Sequence, residues 1–150
     1  MPNLKVSGLE EQIAMFEKLN AKTIPNMKAA LYEGAGVMAD ELRKSLQNAL
    51  STLPENERRR TGDLERSMYI AEMSVDKNNT VSTAVNFAGY DRNGVPNPIK
   101  ANVLESGRSD QNRTKTGFAR KARRAAKKPC EAAMAKAFAR QIDNLTKEFE

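Results

Sequence analysis

The fold is decided by residues 23–49, which read TIPNMKAALYEGAGVMADELRKSLQNA. Apolar residues recur in this stretch at steps of three and four, the spacing of one face of an α-helix: Ile24, Met27, Leu31, Ala35, Met38, Leu42, Leu46 and Ala49. Thr23 can cap the N-terminus, and Pro25 fits the first turn, where its missing N–H costs nothing. The pattern predicts a long amphipathic helix that begins at Thr23.

Two glycines, Gly34 and Gly36, lie inside this predicted helix. Each disfavours the helix by about 1 kcal/mol relative to alanine. Two such residues favour a bend, or a place where another backbone approaches closely, over a merely tolerated weakness.

Three further helices are indicated by spacing and by capping residues. Residues 9–20 predict a separate first helix after a short extended start at residues 4–6. Asn97 as N-cap, Pro98 at the first position and Gly107 at the exit predict a short helix over residues 98–106. A last amphipathic helix follows from apolar residues at helical spacing near the C-terminus: Met134, Ala137, Phe138, Ile142, Leu145 and Phe149.

Two alternating stretches, residues 69–75 and 81–87, flank the turn residues 76–79 and predict a β-hairpin whose partly apolar face packs on the long helix. Aromatic residues are only 5% of the chain and tryptophan is absent, which suits helix packing better than a sandwich or barrel. The predicted fold class is α+β, with the long helix and a C-terminal helix packed on a small, mostly antiparallel sheet. At 150 residues, a single domain over residues 1–150 is expected.

The net charge of +6 is concentrated in residues 108–128, which hold nine Lys or Arg and one acid, so that the other residues sum to −2. The first half of this segment is poor in apolar residues, and we expect a flexible basic arm there, besides a mobile loop at residues 51–60. The candidate contact residues are Arg108, Arg113, Lys115, Arg120, Lys121, Arg123, Arg124, Lys127 and Lys128. Three interpretations stay open: contact with nucleic acid, contact with an acidic protein surface, and solubility alone.

Catalytic chemistry has little support in the sequence. The chain has no histidine, which excludes Ser-His and Cys-His nucleophilic sites and removes most zinc sites. Carboxylate pairs at 40–41, 55–57 and 63–65 are interpreted as surface charge, and Cys130 as a structural thiol. We therefore predict no enzyme, no catalytic residue, no metal and no cofactor.

The cellular setting follows from equally simple features. A single cysteine allows no internal disulfide, and no apolar stretch approaches the roughly 18 residues that span a bilayer. The N-terminal residues MPNLKVSGLEEQ lack the basic and apolar regions of a secretory signal. Synthesis in the cytoplasm, without a membrane partner, is expected.

Four short motifs occur in a fixed order. They are VSGLEE at residues 6–11, TGDLERSM at 61–68, VLESGRS at 103–109 and KPC at 128–130. Their order and spacing resemble the HK97 gp10-like family of tailed-phage and prophage proteins, with the resemblance spanning nearly the whole chain. The motif residues to which the resemblance gives an architectural role are Gly8, Leu9, Thr61, Gly62, Leu64, Ser67, Glu105, Gly107 and Pro129.

The resemblance implies a structural protein of the phage neck or tail, a tail-completion or head–tail joining component. Such a protein assembles as a ring of identical copies between the connector and the tail tube, is made in the host bacterial cytoplasm and ends in the virion. Its partners are other copies of itself and connector or tail proteins, with non-specific DNA contact open. The alternative is a stand-alone basic nucleic-acid-binding protein that uses the same residues.

Overall fold

The computed structural model describes residues 9–55 and 62–148. In chain order the elements are α1 (Leu9–Thr52), α2 (Asp63–Arg66), β1 (Met68–Ile70), β2 (Ser74–Val75), β3 (Val81–Ser82), β4 (Val85–Phe87), α3 (Asn97–Ser106) and α4 (Phe118–Lys147), with a 3-10 turn at Ser109–Gln111. This architecture confirms the predicted α+β class. The predicted extended start at 4–6, residues 56–60 of the predicted loop, and Gly8, Thr61 and Phe149 lie outside the described residues.

The first two predicted helices are one helix, α1, which is 44 residues long and has Pro25 inside it. The predicted start at Thr23 is therefore wrong. Proline in a helix interior removes one backbone hydrogen bond and costs about 3 kcal/mol, so tertiary contacts have to hold the helix together there. On one side of Pro25, Lys22 pairs with Glu148 of α4 at 3.0 Å, and on the other side Asn26 is buried.

α1 and α4 pack antiparallel along most of their lengths. The hydroxyl of Ser45 donates to the carbonyl of Phe118 at 2.7 Å, at the N-terminal end of α4. Glu33 pairs with Arg140 at 3.5 Å, so positions that descend along α1 meet positions that ascend along α4. None of the described helices is both long and apolar enough to traverse a membrane.

The main core cluster lies where the C-terminal half of α1 meets α2, α3 and the start of α4. Its buried members are Leu42, Leu46, Ala49, Leu53, Leu64, Ala101, Leu104, Phe118 and Ala122. Met68, Val85 and Phe87 of the strands pack against it, which confirms the prediction that the hairpin packs on the long helix. Ser51 and Thr52 belong to α1 and Leu53 is buried, so the predicted mobile loop at 51–60 is wrong for these three residues.

Gly34 marks a close approach of α4, whereas Gly36 does not. A Cβ atom at Gly34 would lie 2.5 Å from Cγ and 2.8 Å from Sδ of Met134, and 3.1 Å from Sγ of Cys130. Cys130 also donates its S–H to the carbonyl of Gly34 at 3.3 Å. The approaching group is a side chain and not a backbone, and a Cβ at Gly36 would meet nothing within 4 Å.

The two glycines provide a matched test of this packing. We expect Gly34→Ala to lower the free energy of unfolding by about 1–3 kcal/mol, because it overpacks the α1–α4 contact. Gly36→Ala should raise it by about 0.5–1 kcal/mol, since alanine is the better helix former and has open space. Urea unfolding followed by circular dichroism measures both, and equal effects of the two substitutions would contradict the packing argument.

The hairpin forms as predicted, but it is split into two short ladders. β1 pairs with β4 in the register Met68 to Phe87, and β2 pairs with β3 in the register Val75 to Val81. Between the ladders, residues 71–73 of one strand face residues 83–84 of the other, which is one extra residue and therefore a bulge. The bulge shifts the alternation of side chains, which simple alternation in the sequence does not predict.

Helix α3 confirms the predicted short helix, but the predicted N-cap is wrong. Asn97 is the first residue of α3, and Pro96 occupies the cap position without a side-chain cap. The Asn97 side chain is buried and its Nδ2 donates to the carbonyl of Ala88 at 2.9 Å, so it joins α3 to the end of β4. Its Oδ1 has no hydrogen-bond partner among the described residues.

The first half of residues 108–128, which was predicted to be a flexible arm, instead holds a 3-10 turn and backbone contacts with α3, and the second half is helical, as its good helix formers indicate. Residues 118–128 are the first third of α4, so the last helix begins at Phe118, and Pro129 lies inside it. Ahead of it, Arg108 and Arg113 form an antiparallel bridge, and Thr116 N–H donates to the carbonyl of Leu104 at 3.0 Å. These contacts supply the order that the apolar content of the segment did not predict.

Candidate functional site

The first third of α4 carries most of the predicted contact residues on an exposed side. Phe118, Ala122 and Ala126, each four residues apart, are buried. Because side chains four apart lie on one side of a helix, the positions between them point elsewhere. Six of these exposed positions hold cations, and we call them the basic face: Arg120, Lys121, Arg123, Arg124, Lys127 and Lys128.

The basic face differs from most other described cations because it makes no ion pair within the described ranges. Elsewhere in the described ranges, nine basic side chains lie within 4 Å of a carboxylate: Lys22, Arg43, Lys44, Arg66, Arg92, Lys100, Arg108, Arg140 and Lys147. No described carboxylate comes that close to any cation of the basic face. The fold therefore leaves this charge without internal neutralisation.

This placement is unfavourable for the helix itself. The first turn of α4 has no acidic residue, and cations near a helix N-terminus oppose the helix dipole. Like charges three or four residues apart, such as Arg120 with Arg124 and Arg124 with Lys128, each destabilise a helix by about 0.2–0.5 kcal/mol. A partial compensation comes from Glu105 of α3, whose Oε2 accepts the N–H of Ala119 at 2.8 Å. The six cations of the basic face therefore lower the stability of the helix that carries them.

A groove of about 480 Å³ runs beside the basic face, between α1 and the start of α4. Lys44, Lys115 and Lys121 line it together with hydroxyl and amide side chains, and Glu41 is its acidic member. Lys115 is exposed and comes just before α4, so it extends the positive surface along the groove.

Two of the nine predicted contact residues stand apart from this surface. Arg108 is bound to its own neighbour, with Nη2 2.8 Å and Nε 3.1 Å from the carboxylate of Asp110. Hydrogen bonding to this carboxylate also raises the pKa of Arg108. Arg113 is half-buried and its N–H donates to the carbonyl of Arg108 at 2.8 Å. These two arginines stabilise the connection between α3 and α4. The sequence analysis had named both as candidates for partner contact.

The first described motif, residues 62–68, forms the joint between α1 and the hairpin. Gly62 has φ 80°, a left-handed conformation that glycine adopts most readily, and precedes α2. Leu64 is buried in the core cluster, and the hydroxyl of Ser67 donates to the carbonyl of Leu64 at 2.6 Å. Asp63 binds the guanidinium of Arg92 at 3.0 Å, which attaches the loop after β4 to this joint.

The second described motif, residues 103–109, forms the joint between α3 and α4. Glu105 caps Ala119, as described above, and Gly107 ends α3 with φ 74° and ψ 173°. A Cβ atom at Gly107 would lie 2.9 Å from the carbonyl oxygen of Arg113 and 3.0 Å from the nitrogen of Lys115. The remaining described motif residues lie in helices. Leu9 is the first residue of α1, and Pro129 lies inside α4.

The other candidates for chemistry have structural partners. Across the described part of the chain, no group of three or more acidic or cysteine side chains is arranged to hold a metal ion. Asp40 pairs with Arg43, and Asp63 with Arg66 and Arg92. Burial raises the pKa of the Cys130 thiol, and Glu131 adds to this effect, so the thiol stays protonated at neutral pH.

A second surface, which the sequence reasoning missed, lies on the loop between β4 and α3 and on the first turn of α3. Tyr90, Val95 and Ile99 are 72%, 41% and 52% exposed, and we call them the apolar patch. The bridge between Tyr90 and Pro96 and the bond from Ile99 N–H to the carbonyl of Pro96 bring the three residues together. Their signal in the sequence is large apolar residues within a stretch rich in turn-forming residues.

Asp91 fixes the loop that carries the apolar patch. Its Oδ1 accepts the N–H groups of Asn93 and Val95, and its Oδ2 accepts Lys100 Nζ at 3.0 Å. The bond from the Val95 N–H, followed by that from Lys100, holds the pKa of Asp91 below its usual value. These hydrogen bonds therefore hold the loop that carries Tyr90 and Val95 in one conformation.

No protein-family model, curated protein or solved structure matches the chain.

Proposed function

We propose that the protein is a structural component of a phage neck or tail, a tail-completion or head–tail joining protein that assembles with copies of itself and with connector or tail proteins. The proposal rests on the resemblance of its ordered motifs to the HK97 gp10-like family. In this role the protein acts by forming interfaces, it needs no catalytic centre, and it resides in the virion.

One observation supports the proposal most directly. The motif residues Leu64 and Leu104 are 40 positions apart in the sequence, yet both belong to the same core cluster. Gly62 and Ser67 shape one joint beside that cluster, and Glu105 and Gly107 shape the other. A set of motifs that together build one framework is expected if the resemblance reflects a shared fold, whereas unrelated chance matches would be scattered.

The apolar patch is the candidate surface for contact between subunits in this role. Exposed large apolar residues on an ordered loop are typical of protein–protein contacts, and tyrosine is enriched among the residues that dominate such contacts. We therefore assign Tyr90, Val95 and Ile99 to a contact with a neighbouring subunit in the assembled particle.

The gene-level test is deletion in a phage or prophage that encodes the chain. Deletion should abolish infectious particles and leave heads and tails unjoined, or tails unfinished, in electron micrographs of lysates. Complementation by the wild-type gene should restore particles. An unchanged titre of infectious particles after deletion would refute the proposed function.

The patch has its own test by substitution. Tyr90→Ser should lower the yield of complete particles strongly, since losing one dominant contact residue weakens an interface by about 2 kcal/mol or more per copy, and a ring repeats that loss in every subunit. Tyr32→Ser is the matched control, because Tyr32 on α1 is 62% exposed and lies far from the patch in sequence. Both variants should keep wild-type unfolding curves. An equal particle yield for the two would remove the patch from the interface.

A further inference from the structure

We propose that the basic face of α4 binds the phosphate backbone of duplex DNA without reading its sequence. This activity goes beyond the assembly role, and the argument for it uses only the geometry and charge of α4. It therefore stands or falls independently of the proposed function.

The spacing of charge on the helix matches that of duplex DNA. From Arg120 to Lys128 the helix rises about 12 Å at 1.5 Å per residue, and this length carries six cations, or one for about every 2 Å. Duplex DNA carries one phosphate charge for about every 1.7 Å of its axis. No acidic residue interrupts the helix between Phe118 and Cys130. A helix of this charge density is complementary to a duplex backbone over the roughly 12 Å that the six cations span.

The charges of the rest of the chain favour DNA over a second copy as the partner of the basic face. Several carboxylates are engaged within their own chain, for example Asp40 with Arg43, Asp63 with Arg92 and Asp91 with Lys100. Association of two copies through their basic faces would therefore bring like charges together. The cations of the basic face oppose the helix dipole, and a bound polyanion would remove that unfavourable interaction.

The composition of the face indicates backbone contact and not base recognition. The aromatic residue nearest to it, Phe118, is 1% exposed and packs edge-on against Phe87, with ring centroids 6.1 Å apart. Without an exposed aromatic the face has no platform on which unpaired bases could stack, which favours a duplex over a single strand. Among the described residues, no side chain or backbone group holds the cations of the basic face in one orientation for reading base edges.

The test is fluorescence anisotropy of a labelled 30-base-pair duplex of mixed sequence, titrated with the full chain. If the six cations each release a counterion, the plot of log affinity against log salt should have a slope of about −5, and affinity should fall about 1,000-fold between 50 and 200 mM salt. The variant K121Q/K127Q/K128Q removes three of the six charges, and its slope should be near −3.

The matched control is K28Q/K77Q/K136Q. It removes the same number and type of charges from unpaired lysines on α1, in the hairpin turn and later in α4, and should leave the slope unchanged. Thermal unfolding should give both variants a melting temperature close to that of the wild type, with the face variant equal or higher because it loses like-charge repulsion.

Three outcomes would overturn the inference. The first is equal weakening of DNA binding by the face variant and its control. The second is the absence of salt-dependent binding at 50 mM salt. The third is binding of poly-glutamate of matched charge as tightly as the duplex, with the same response to the face variant, which would assign the face to an acidic protein. None of these results bears on the deletion test, so failure here and failure of the neck role are distinguishable.

Discussion

Phe118→Ala is expected to lower the free energy of unfolding by about 3–5 kcal/mol, the largest effect of any single substitution considered for this protein. Phe118 is one of the two largest fully buried side chains among the described residues, and it opens α4. Its ring packs on Phe87 of β4, and its carbonyl accepts the hydroxyl of Ser45 of α1. Alanine would leave a cavity at the point where α4, β4 and α1 meet.

Urea unfolding followed by circular dichroism gives the value, and Ile142→Ala is the control. Ile142 lies on the same helix but is 39% exposed, so we expect its loss to cost about 1 kcal/mol or less. A cost for Phe118→Ala no larger than that for Ile142→Ala would mean that the start of α4 is not anchored in the core. The basic face would then be held less firmly than the structure indicates.

Gly107→Ala is the second large effect, with an expected loss of about 2–4 kcal/mol. The backbone of Gly107 has φ 74° and ψ 173°, a region that only glycine occupies readily. In addition, the new Cβ would lie 2.9 Å and 3.0 Å from backbone atoms of Arg113 and Lys115, which cannot move without opening the bridge between Arg108 and Arg113. Conformational strain and steric overlap therefore add.

Gly89→Ala separates these two contributions. Gly89 also has a positive φ, 73°, but a Cβ there would meet nothing within 4 Å, so only conformational strain of about 1–2 kcal/mol is expected. The loss of unfolding free energy should therefore be larger for Gly107→Ala than for Gly89→Ala, because only Gly107 combines strain with overlap. Equal destabilisation would show that the connection between α3 and α4 adapts to a side chain, contrary to the close packing at Gly107.

Both positions bear on the basic face. Phe118 and Gly107 fix the point where α4 starts, and Glu105 caps it from the neighbouring helix. Because the buried positions on α4 and the cations of the basic face occupy different sides of one helix, anchoring the buried side sets the direction in which the cations point. Loss of the anchor should therefore weaken DNA binding as well as stability, whereas the charge substitutions weaken binding without lowering stability.

Several elements could be predicted from the sequence because their causes are local. The stripe from Ile24 to Ala49 specifies a helix by its period, and residues 76–79 specify a turn, in which Asp76 Oδ1 accepts the N–H groups of Asn78 and Thr80. Gly107 was correctly predicted to end α3, since a positive φ at that position suits glycine. The concentration of positive charge between residues 108 and 128 is likewise a property of the sequence alone.

The errors have a common physical origin in contacts between distant residues. Pro25 was read as a helix start because its missing N–H is tolerated there, but packing on α4 carries the helix through it. The first half of residues 108–128 was predicted to be flexible because it holds few large apolar side chains. Backbone hydrogen bonds supply its order instead, among them the pair between Arg108 and Arg113 and the bond from Thr116 N–H to the carbonyl of Leu104.

By itself, the sequence determined the apolar periods of the helices, the turn at residues 76–79 and the end of α3 at Gly107. It also determined how much charge the chain carries and where along the chain it lies. Each of these features depends on neighbours within a few residues. The tertiary structure alone decided that Gly34 faces Met134, that the hairpin carries a bulge, and that no described carboxylate pairs with the cations of the basic face. The physical reason is that packing and ion pairing depend on distances in space. For α1 and α4 those distances join residues about 70 to 130 positions apart, beyond the reach of any local pattern.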